Sequence, residues 1–348
     1  MCNLLKGYIC FNDMYITKSH NICRFCSQKV PSTPGSRYVK PLSGIKEYLV
    51  QKCFAFVHGY EKILETKFPS AFKIYRVFSV GTKDLYNDIK EYIRISSVLS
   101  NGKHVRDLQR KELETYFQVP KDLMKVAPVL VLAALPFANY VILPVIYLFP
   151  RKCLSSQFWT LQQKVDFAVK YQKKRLYHYR PVFRQLQAQI DTINTDVLKN
   201  NCQDIFYKLG SGLHPTTEEI IKLKPLFIDQ PYGIFCITNK HLHHLCRMHG
   251  ISVLPGKQWR LWKHAGFIRE MDLAMKREGL ESMSSHELRN ACFMRGLSPV
   301  GLSKEEMMAW LSDWIQIALS IESDSLSLLL HCPIFLSYNY PSNWVLIH

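Results

Sequence analysis

Basic and aromatic side chains alternate along one stretch of the sequence, and their chemistry suits a polyanion. Cations can neutralise phosphates, while aromatic rings stack on bases or lie at a membrane interface. The pattern therefore predicts a binding surface for RNA or for the headgroups of an anionic lipid such as cardiolipin. It is also typical of a solvated helix face whose tyrosines lie in the core. The six cations, here called the basic stripe, are Lys170, Lys173, Lys174, Arg175, Arg180 and Arg184, with Tyr171, Tyr177, Tyr179 and Phe183 between them.

Histidines and a cysteine form the densest cluster of potential metal ligands: His241, His243, His244, Cys246 and His249. His241 and His244 can share a helix face, but no glutamate follows in the arrangement of a catalytic zinc helix. No phosphate-binding loop, nucleophile elbow or calcium-binding loop is recognisable elsewhere in the sequence. We therefore expect no metal centre, no cofactor and no enzyme chemistry, and we expect these histidines to serve packing or the surface.

Helices must position these side chains, because apolar residues recur with helical spacing and strand signals are lacking. Residues 161–179 and 181–198 are predicted to be the helices that carry the basic stripe. Capping boxes predict three later helix starts, at Thr216 with Glu219, Ser284 with Glu287, and Ser303 with Glu306. The last of these helices should bury one face, formed by Met307, Leu311, Trp314, Ile315 and Ala318. Gly296 suits the left-handed position that ends a helix.

An uncharged apolar run, Val126–Phe149, interrupts the basic sequence. As a helix it would be about 36 Å long, enough to cross a hydrocarbon core of about 30 Å. Interior prolines free backbone carbonyls, and an asparagine can hydrogen-bond to a neighbouring helix, so the run predicts a packed or oligomeric span. These packing residues are Pro128, Pro136, Asn139 and Pro144. The alternative is a kinked hairpin buried in a large soluble core.

The charge balance points to anionic partners and to one cellular compartment. The net charge is +17, which favours anionic lipid or nucleic acid. Asp13 is the only acid before Glu47, among cations, serines, threonines and aromatics, and this composition predicts a mitochondrial transit peptide or, equally, a disordered basic tail. Cys23 and Cys26 lack the second pair that a structural zinc site needs. Other cysteines stand singly among apolar residues, which predicts buried free thiols.

Four segments resemble the LETM family of mitochondrial inner-membrane proteins. They are Pro136–Pro150, which resembles the family's membrane segment, and His244–Ser252, Glu278–Gly296 and Trp310–Ile315, which resemble its ribosome-binding domain. The resemblance implies an all-α fold in which a single transmembrane helix precedes a ribosome-binding-like helical domain similar to the 14-3-3 arrangement. Asn139 and Tyr147 depart from the longer family members, which carry an acid and a lysine at these places.

The resemblance and the apolar run together divide the chain into four regions. Residues 1–43 are predicted to form a mitochondrial presequence and flexible link, 44–125 a helical pre-membrane region, 126–150 the transmembrane segment and 151–348 a LETM-type ribosome-binding-like domain. Cations flank the run almost evenly, so the positive-inside rule decides no orientation. The resemblance implies a single-pass protein of the mitochondrial inner membrane with its C-terminal domain in the matrix.

The leading hypothesis is a non-enzymatic, membrane-anchored interaction protein. The resemblance implies that it docks mitochondrial ribosomes or respiratory-chain assembly factors and supports respiratory-chain biogenesis and the organisation of the inner membrane and cristae. A packed span allows a homo-oligomer. The alternative is a component of a mitochondrial cation/proton exchange system, which the lack of Asp, Glu, Lys, Arg and His in Val126–Phe149 disfavours. A soluble RNA- or DNA-binding regulator is a third hypothesis, which the basic helices allow and the span disfavours.

Overall fold

A computed structural model describes residues 69–133, 144–146 and 148–347 of the chain. Within these ranges the backbone forms α-helices and short 3₁₀ turns without any strand, which confirms the predicted all-α class. The helices are α1 (Pro69–Ser100), α2 (Arg110–Ala133), α3 (Pro150–Cys153), α4 (Leu161–Leu176), α5 (Tyr179–Gln187), α6 (Asp196–Gly210), α7 (Thr217–Lys222), α8 (Asn239–Met248), α9 (Lys257–Glu278), α10 (Ser285–Met294), α11 (Lys304–Ser320), α12 (Leu326–Ser337) and α13 (Pro341–Ile347).

The chain divides into two compact units. Among the described residues, one unit comprises those in the ranges 69–94 and 118–162, and the other comprises those in the ranges 95–117 and 163–347. The first unit has a small apolar core of Leu85, Val126, Leu154 and Phe158. Gln157 braces this unit, because its amide nitrogen donates to the Asp88 carboxylate at 2.9 Å and to the Asp122 carboxylate at 3.3 Å.

The predicted membrane span lies only partly in the region that the structure describes. Pro128 is inside α2, and Pro144 lies in a short helical stretch, whereas Pro136 and Asn139 lie outside the described residues. No helix among the described residues is long and apolar enough to cross a membrane. The span and its packing residues therefore stay predictions.

The second unit is built around α12, a helix whose residues are all buried. Helices α5, α9 and α11 pack against it, and α10 and α7 pack against α11. Residues 95–117, which precede the apolar run, also contribute buried side chains to this core, including Ile95, Leu108 and Leu113. This arrangement encloses the short apolar helix completely, so its polar groups must find partners inside the domain.

Local signals in the sequence describe the second unit well. All three predicted capping boxes form, with each cap hydroxyl accepting from the N3 amide and each N3 glutamate accepting from the cap amide. The predicted apolar face of α11 is buried, and Gly296 has a φ of +98°. Cys246 and Cys292 are buried free thiols as predicted.

One predicted helix, 181–198, was too long. Helix α5 ends at Gln187, and a 3₁₀ turn, Ile190–Thr192, follows it. The Thr192 hydroxyl donates to the Gln189 carbonyl at 2.6 Å, which is the kind of local hydrogen bond that competes with a continuing helix. The chain re-enters a helix at Asp196, after Thr195 at the N-cap.

Candidate functional site

The basic stripe lies on α4 and α5 of the second unit, and five of its six cations face solvent. Lys170, Lys173 and Lys174 are exposed on the C-terminal half of α4, and Arg180 and Arg184 are exposed one turn apart on α5. The aromatics between them divide by exposure. The Tyr177 side chain is 73% exposed, whereas Tyr179 and Phe183 are buried in the core. The stripe thus combines a solvated cationic surface with core tyrosine and phenylalanine side chains.

Arg175, the sixth cation of the stripe, is buried with an exposed fraction of 3%. Its guanidinium donates to the carbonyl oxygens of Met248 at 2.8 Å, Phe293 at 2.6 Å and Met294 at 3.0 Å. These carbonyls end α8 and α10, where an arginine satisfies orphan acceptors and complements the helix dipole. Arg175 therefore joins three helices inside the domain, and its charge is not available to a partner.

A cleft of about 1020 Å³ adjoins the α5 end of the stripe. Arg180 and Arg184 line one part of it, and Lys240, at the start of α8, lines another. None of the described residues that line the cleft is acidic. Aromatic and amide side chains also line it, namely Tyr177, Tyr179, Phe183, Tyr338, Trp344, Gln185, Asn339 and Asn343, and the rings of Tyr177 and Trp344 are exposed. This composition suits an extended anion with planar groups, because cations can hold its phosphates while rings stack on its bases.

Hydrogen bonds from side chains to backbone carbonyls hold the walls of the cleft in place. The Asn339 amide donates to the carbonyls of Leu209 at 2.9 Å and Leu213 at 3.1 Å, which fixes the segment after α12 against the end of α6. The Tyr179 hydroxyl donates to the Gly296 carbonyl at 2.7 Å, which fixes the start of α5. The cleft is thus preformed, and a ligand would not need to order these helices.

Two histidines meet at the edge of the cleft. The Nδ1 atoms of His178 and His244 lie 3.0 Å apart, and burial lowers the pKa of His178 to about 4. Burial also lowers the pKa of His244. Both pKa values lie below 7, so the neutral form of each ring predominates at pH 7, and one Nδ1–H donates to the other Nδ1. Among the described residues that line the cleft, Arg180, Arg184 and Lys240 carry the positive charge.

The histidines and the cysteine of α8 do not converge on one site in the structure. His241 points into the core, where its Nε2 lies 2.9 Å from Nε2 of His331, and the Nε2 of His249 bonds to the Leu330 carbonyl at 2.8 Å. Cys246 is buried with a pKa raised by burial to about 11. No group of three or more potential ligands among the described residues could hold a metal ion.

Sequence reasoning missed Lys240 and the C-terminal wall of the cleft. Lys240 lies far along the chain from Arg180, so no spacing rule relates the two cations. The only signal was the position of Lys240 next to the α8 histidines, one of which, His244, also lines the cleft.

A family model described as LETM1-like, RBD, matches residues 108–335. The chain belongs to this family. The match contains the whole basic stripe, together with the helices that bury Arg175 and those that carry most of the cleft. It also begins before the predicted span, in agreement with the contribution of Leu108 and Leu113 to the core of the second unit.

Curated relatives extend the LETM1-like similarity over most of the chain. The LETM1 domain-containing protein 1 of Xenopus tropicalis is 32% identical over 285 residues, which cover 81% of each chain. The human protein of the same name is 30% identical over 310 residues, which cover 87% of this chain and 86% of the relative. The mitochondrial proton/calcium exchanger protein of Drosophila melanogaster is 25% identical over 252 residues, which cover 69% of this chain but 24% of the relative.

Proposed function

We propose that this protein is a non-enzymatic docking protein that binds mitochondrial ribosomes through the exposed basic stripe and the cleft beside it. The observation that carries the proposal is the placement of five solvent-exposed cations and an acid-free cleft on a LETM1-like RBD. Ribosomal RNA is the polyanion that such a surface fits, because phosphates release counterions when cations neutralise them. The docked ribosome would supply respiratory-chain proteins to the membrane and to assembly factors.

Co-sedimentation of the purified full chain with mitochondrial ribosomes tests this proposal. Binding should weaken steeply as salt rises, and the variant Lys173→Glu/Lys174→Glu should reduce the slope of log affinity against log salt by about 2. The charge-matched control is Lys222→Glu/Lys276→Glu, two exposed lysines outside the stripe and the cleft. Equal losses in both variants, or binding that ignores salt, would place the contact elsewhere.

The proposal places the protein in mitochondria, as a single-pass protein of the inner membrane with its LETM1-like domain in the matrix. The support is the word mitochondrial in the name of the Drosophila relative and the uncharged run Val126–Phe149. Deleting this run should release the protein from carbonate-washed membranes, because Leu326–Leu336 is too short to span a bilayer. A deletion variant that stays in the carbonate-resistant pellet contradicts the single span.

A second candidate function, participation in cation/proton exchange, is favoured by the name of the Drosophila relative. Exchange commonly uses an acidic, basic or histidine side chain within the membrane, and Val126–Phe149 contains no Asp, Glu, Lys, Arg or His. Its one amide, Asn139, exchanges no proton in an accessible pH range. We expect proteoliposomes of this protein to show neither potassium/proton nor calcium/proton exchange. If proteoliposomes show exchange and Asn139→Leu abolishes it, the docking proposal is wrong and the protein takes part in cation/proton exchange.

A further inference from the structure

Helix α9 presents tryptophans to solvent on the face opposite its buried side. Trp259 and Trp262 are 60% and 42% exposed, and Leu254, just before the helix, is 64% exposed. Trp259, Trp262 and Lys263 are three and four residues apart, so they share the outward face, while Leu261, Ala265 and Ile268 face the core. Large apolar side chains clustered on the surface mark an interaction site more often than singly scattered ones do.

Cations surround these exposed apolar side chains. Lys257, Arg260 and Lys263 precede the first acid of the helix, Glu270. The Lys263 ammonium lies 5.2 Å from the centre of the Trp259 ring, and the Arg260 guanidinium contacts the Leu254 carbonyl. The surface therefore offers apolar groups and positive charge within one short stretch, which is the composition of a segment that lies in the interface of an anionic membrane.

We propose that Leu254, Trp259 and Trp262, with Lys257 and Lys263, form a surface that inserts into the headgroup region of an anionic phospholipid bilayer. Tryptophan prefers this depth because its ring is apolar and its indole N–H can still reach polar groups. Lysine stems extend along the apolar boundary and hold their ammonium groups at the phosphates. The exposed leucine favours lipid over RNA, since an aliphatic side chain adds acyl-chain contact but offers no ring on which a base can stack.

Quenching of tryptophan emission by lipids with brominated acyl chains tests this proposal on the full chain. The protein is placed in vesicles of phosphatidylcholine alone or of phosphatidylcholine mixed with phosphatidylglycerol. We expect stronger quenching in the anionic vesicles, and we expect Trp259→Gln/Trp262→Gln to lose this lipid-dependent difference. Trp344→Gln is the matched control, because Trp344 is an exposed tryptophan of the cleft, and it should retain the difference. Any contribution from the apolar run is the same in every variant.

A second variant keeps the test decisive if the double tryptophan variant does not fold. Lys263→Glu retains both tryptophans and should lose the preference for anionic vesicles, with unchanged circular dichroism. The proposal is overturned if wild type and the tryptophan variant are quenched equally, or if quenching is the same in neutral and anionic vesicles. It is also overturned if single-stranded RNA shifts the emission of these two tryptophans and vesicles do not. Ribosome co-sedimentation of Trp259→Gln/Trp262→Gln and of Lys263→Glu, which lie outside the basic stripe and the cleft, reports separately on the docking proposal, and we expect it to be unchanged.

Discussion

The hydroxyl of Tyr179 donates a 2.7 Å hydrogen bond to the carbonyl oxygen of Gly296. The side-chain amides of Gln172 and Asn343 donate to the same oxygen, at 3.1 and 3.2 Å. A single backbone carbonyl at the end of α10 thus accepts hydrogen bonds from side chains of α4, α5 and α13. The left-handed φ of Gly296 turns this carbonyl toward the three donors, so the conformation of one glycine organises the base of the cleft.

Replacing Gly296 with alanine should destabilise the domain by at least about 2 kcal/mol, because a positive φ is strained for alanine and the added Cβ collides with the Tyr179 hydroxyl. Gly301→Ala is the control, since Gly301 has a φ of +78° with open space around it. Urea unfolding of the two variants separates the collision from the backbone strain. Equal losses of unfolding free energy would show that the Tyr179 contact contributes nothing. Tyr179→Phe should make the Gly296→Ala loss smaller, because it removes the colliding oxygen.

The buried ion pair between Asp272 and Arg295 should be far more costly to break than a surface pair. Arg295 donates to Asp272 Oδ1 from Nε at 2.9 Å and from Nη2 at 2.6 Å, and the Trp314 indole donates to Oδ2 at 2.9 Å. Asp272→Ala leaves an unpaired guanidinium in the core, and we expect a loss of about 3–5 kcal/mol in unfolding free energy. Glu322→Ala, which breaks the exposed pair with Lys224, should cost less than about 1 kcal/mol. Similar urea midpoints for the two variants would contradict this ranking.

Substitutions of the adjacent cations Lys174 and Arg175 should have different effects, one on ribosome binding and the other on stability. Arg175→Met removes the donors that hold the ends of α8 and α10, and we expect a loss of about 2–4 kcal/mol in unfolding free energy. Lys174→Met alters an exposed residue, and we expect a change within about 0.5 kcal/mol. Co-sedimentation with ribosomes should weaken for Lys174→Met and should stay unchanged for Arg175→Met, provided that both variants fold. A destabilised Lys174→Met, or an Arg175→Met of wild-type stability, would show that the two side chains are wrongly placed.

Stability should fall between pH 6.5 and pH 4, because buried histidines stay neutral in the folded protein. Burial lowers the pKa of His331 from 6.5 to about 4 and that of His241 to about 2. Below pH 6.5 the unfolded chain binds protons that the folded chain excludes, so each such histidine lowers the unfolding free energy by up to about 1.4 kcal/mol per pH unit until its folded-state pKa is reached. The stabilisation is complete above pH 6.5.

Urea midpoints measured at pH 7 and pH 5 test this expectation. The variant His331→Gln should flatten the dependence, whereas the exposed His286→Gln should leave it unchanged. A urea midpoint that stays constant between pH 7 and pH 5 would contradict this expectation. It would show that His241 and His331 are protonated in the folded state or do not form their buried contact.

Features set by neighbours in the sequence could be predicted, because a few adjacent residues determine them. The capping boxes at Ser284 and Ser303 satisfy their own helix ends, and the spacing of Met307, Leu311 and Trp314 defines the buried face of α11 without reference to any other helix. These predictions are confirmed.

Features set by distant residues could not be predicted. Lys174 and Arg175 are adjacent cations in the sequence, and only the carbonyls of Met248, Phe293 and Met294 make one of them a core residue. Ile95 likewise joins the core of a unit formed mostly by residues beyond 163. Tertiary contacts determine the burial of both Arg175 and Ile95, and no pattern among neighbouring residues indicates these contacts.

Helix α12 lies at the centre of the second unit, yet it follows α4 to α11 in the sequence. A growing chain reaches this helix only after the surrounding elements have been synthesised, so the domain core cannot close during most of translation. Closure then requires contacts between α12 and α5, which are widely separated along the chain, and such contacts slow folding. The domain should therefore fold late and cooperatively, and shortened chains that end before Leu326 should remain open to proteases.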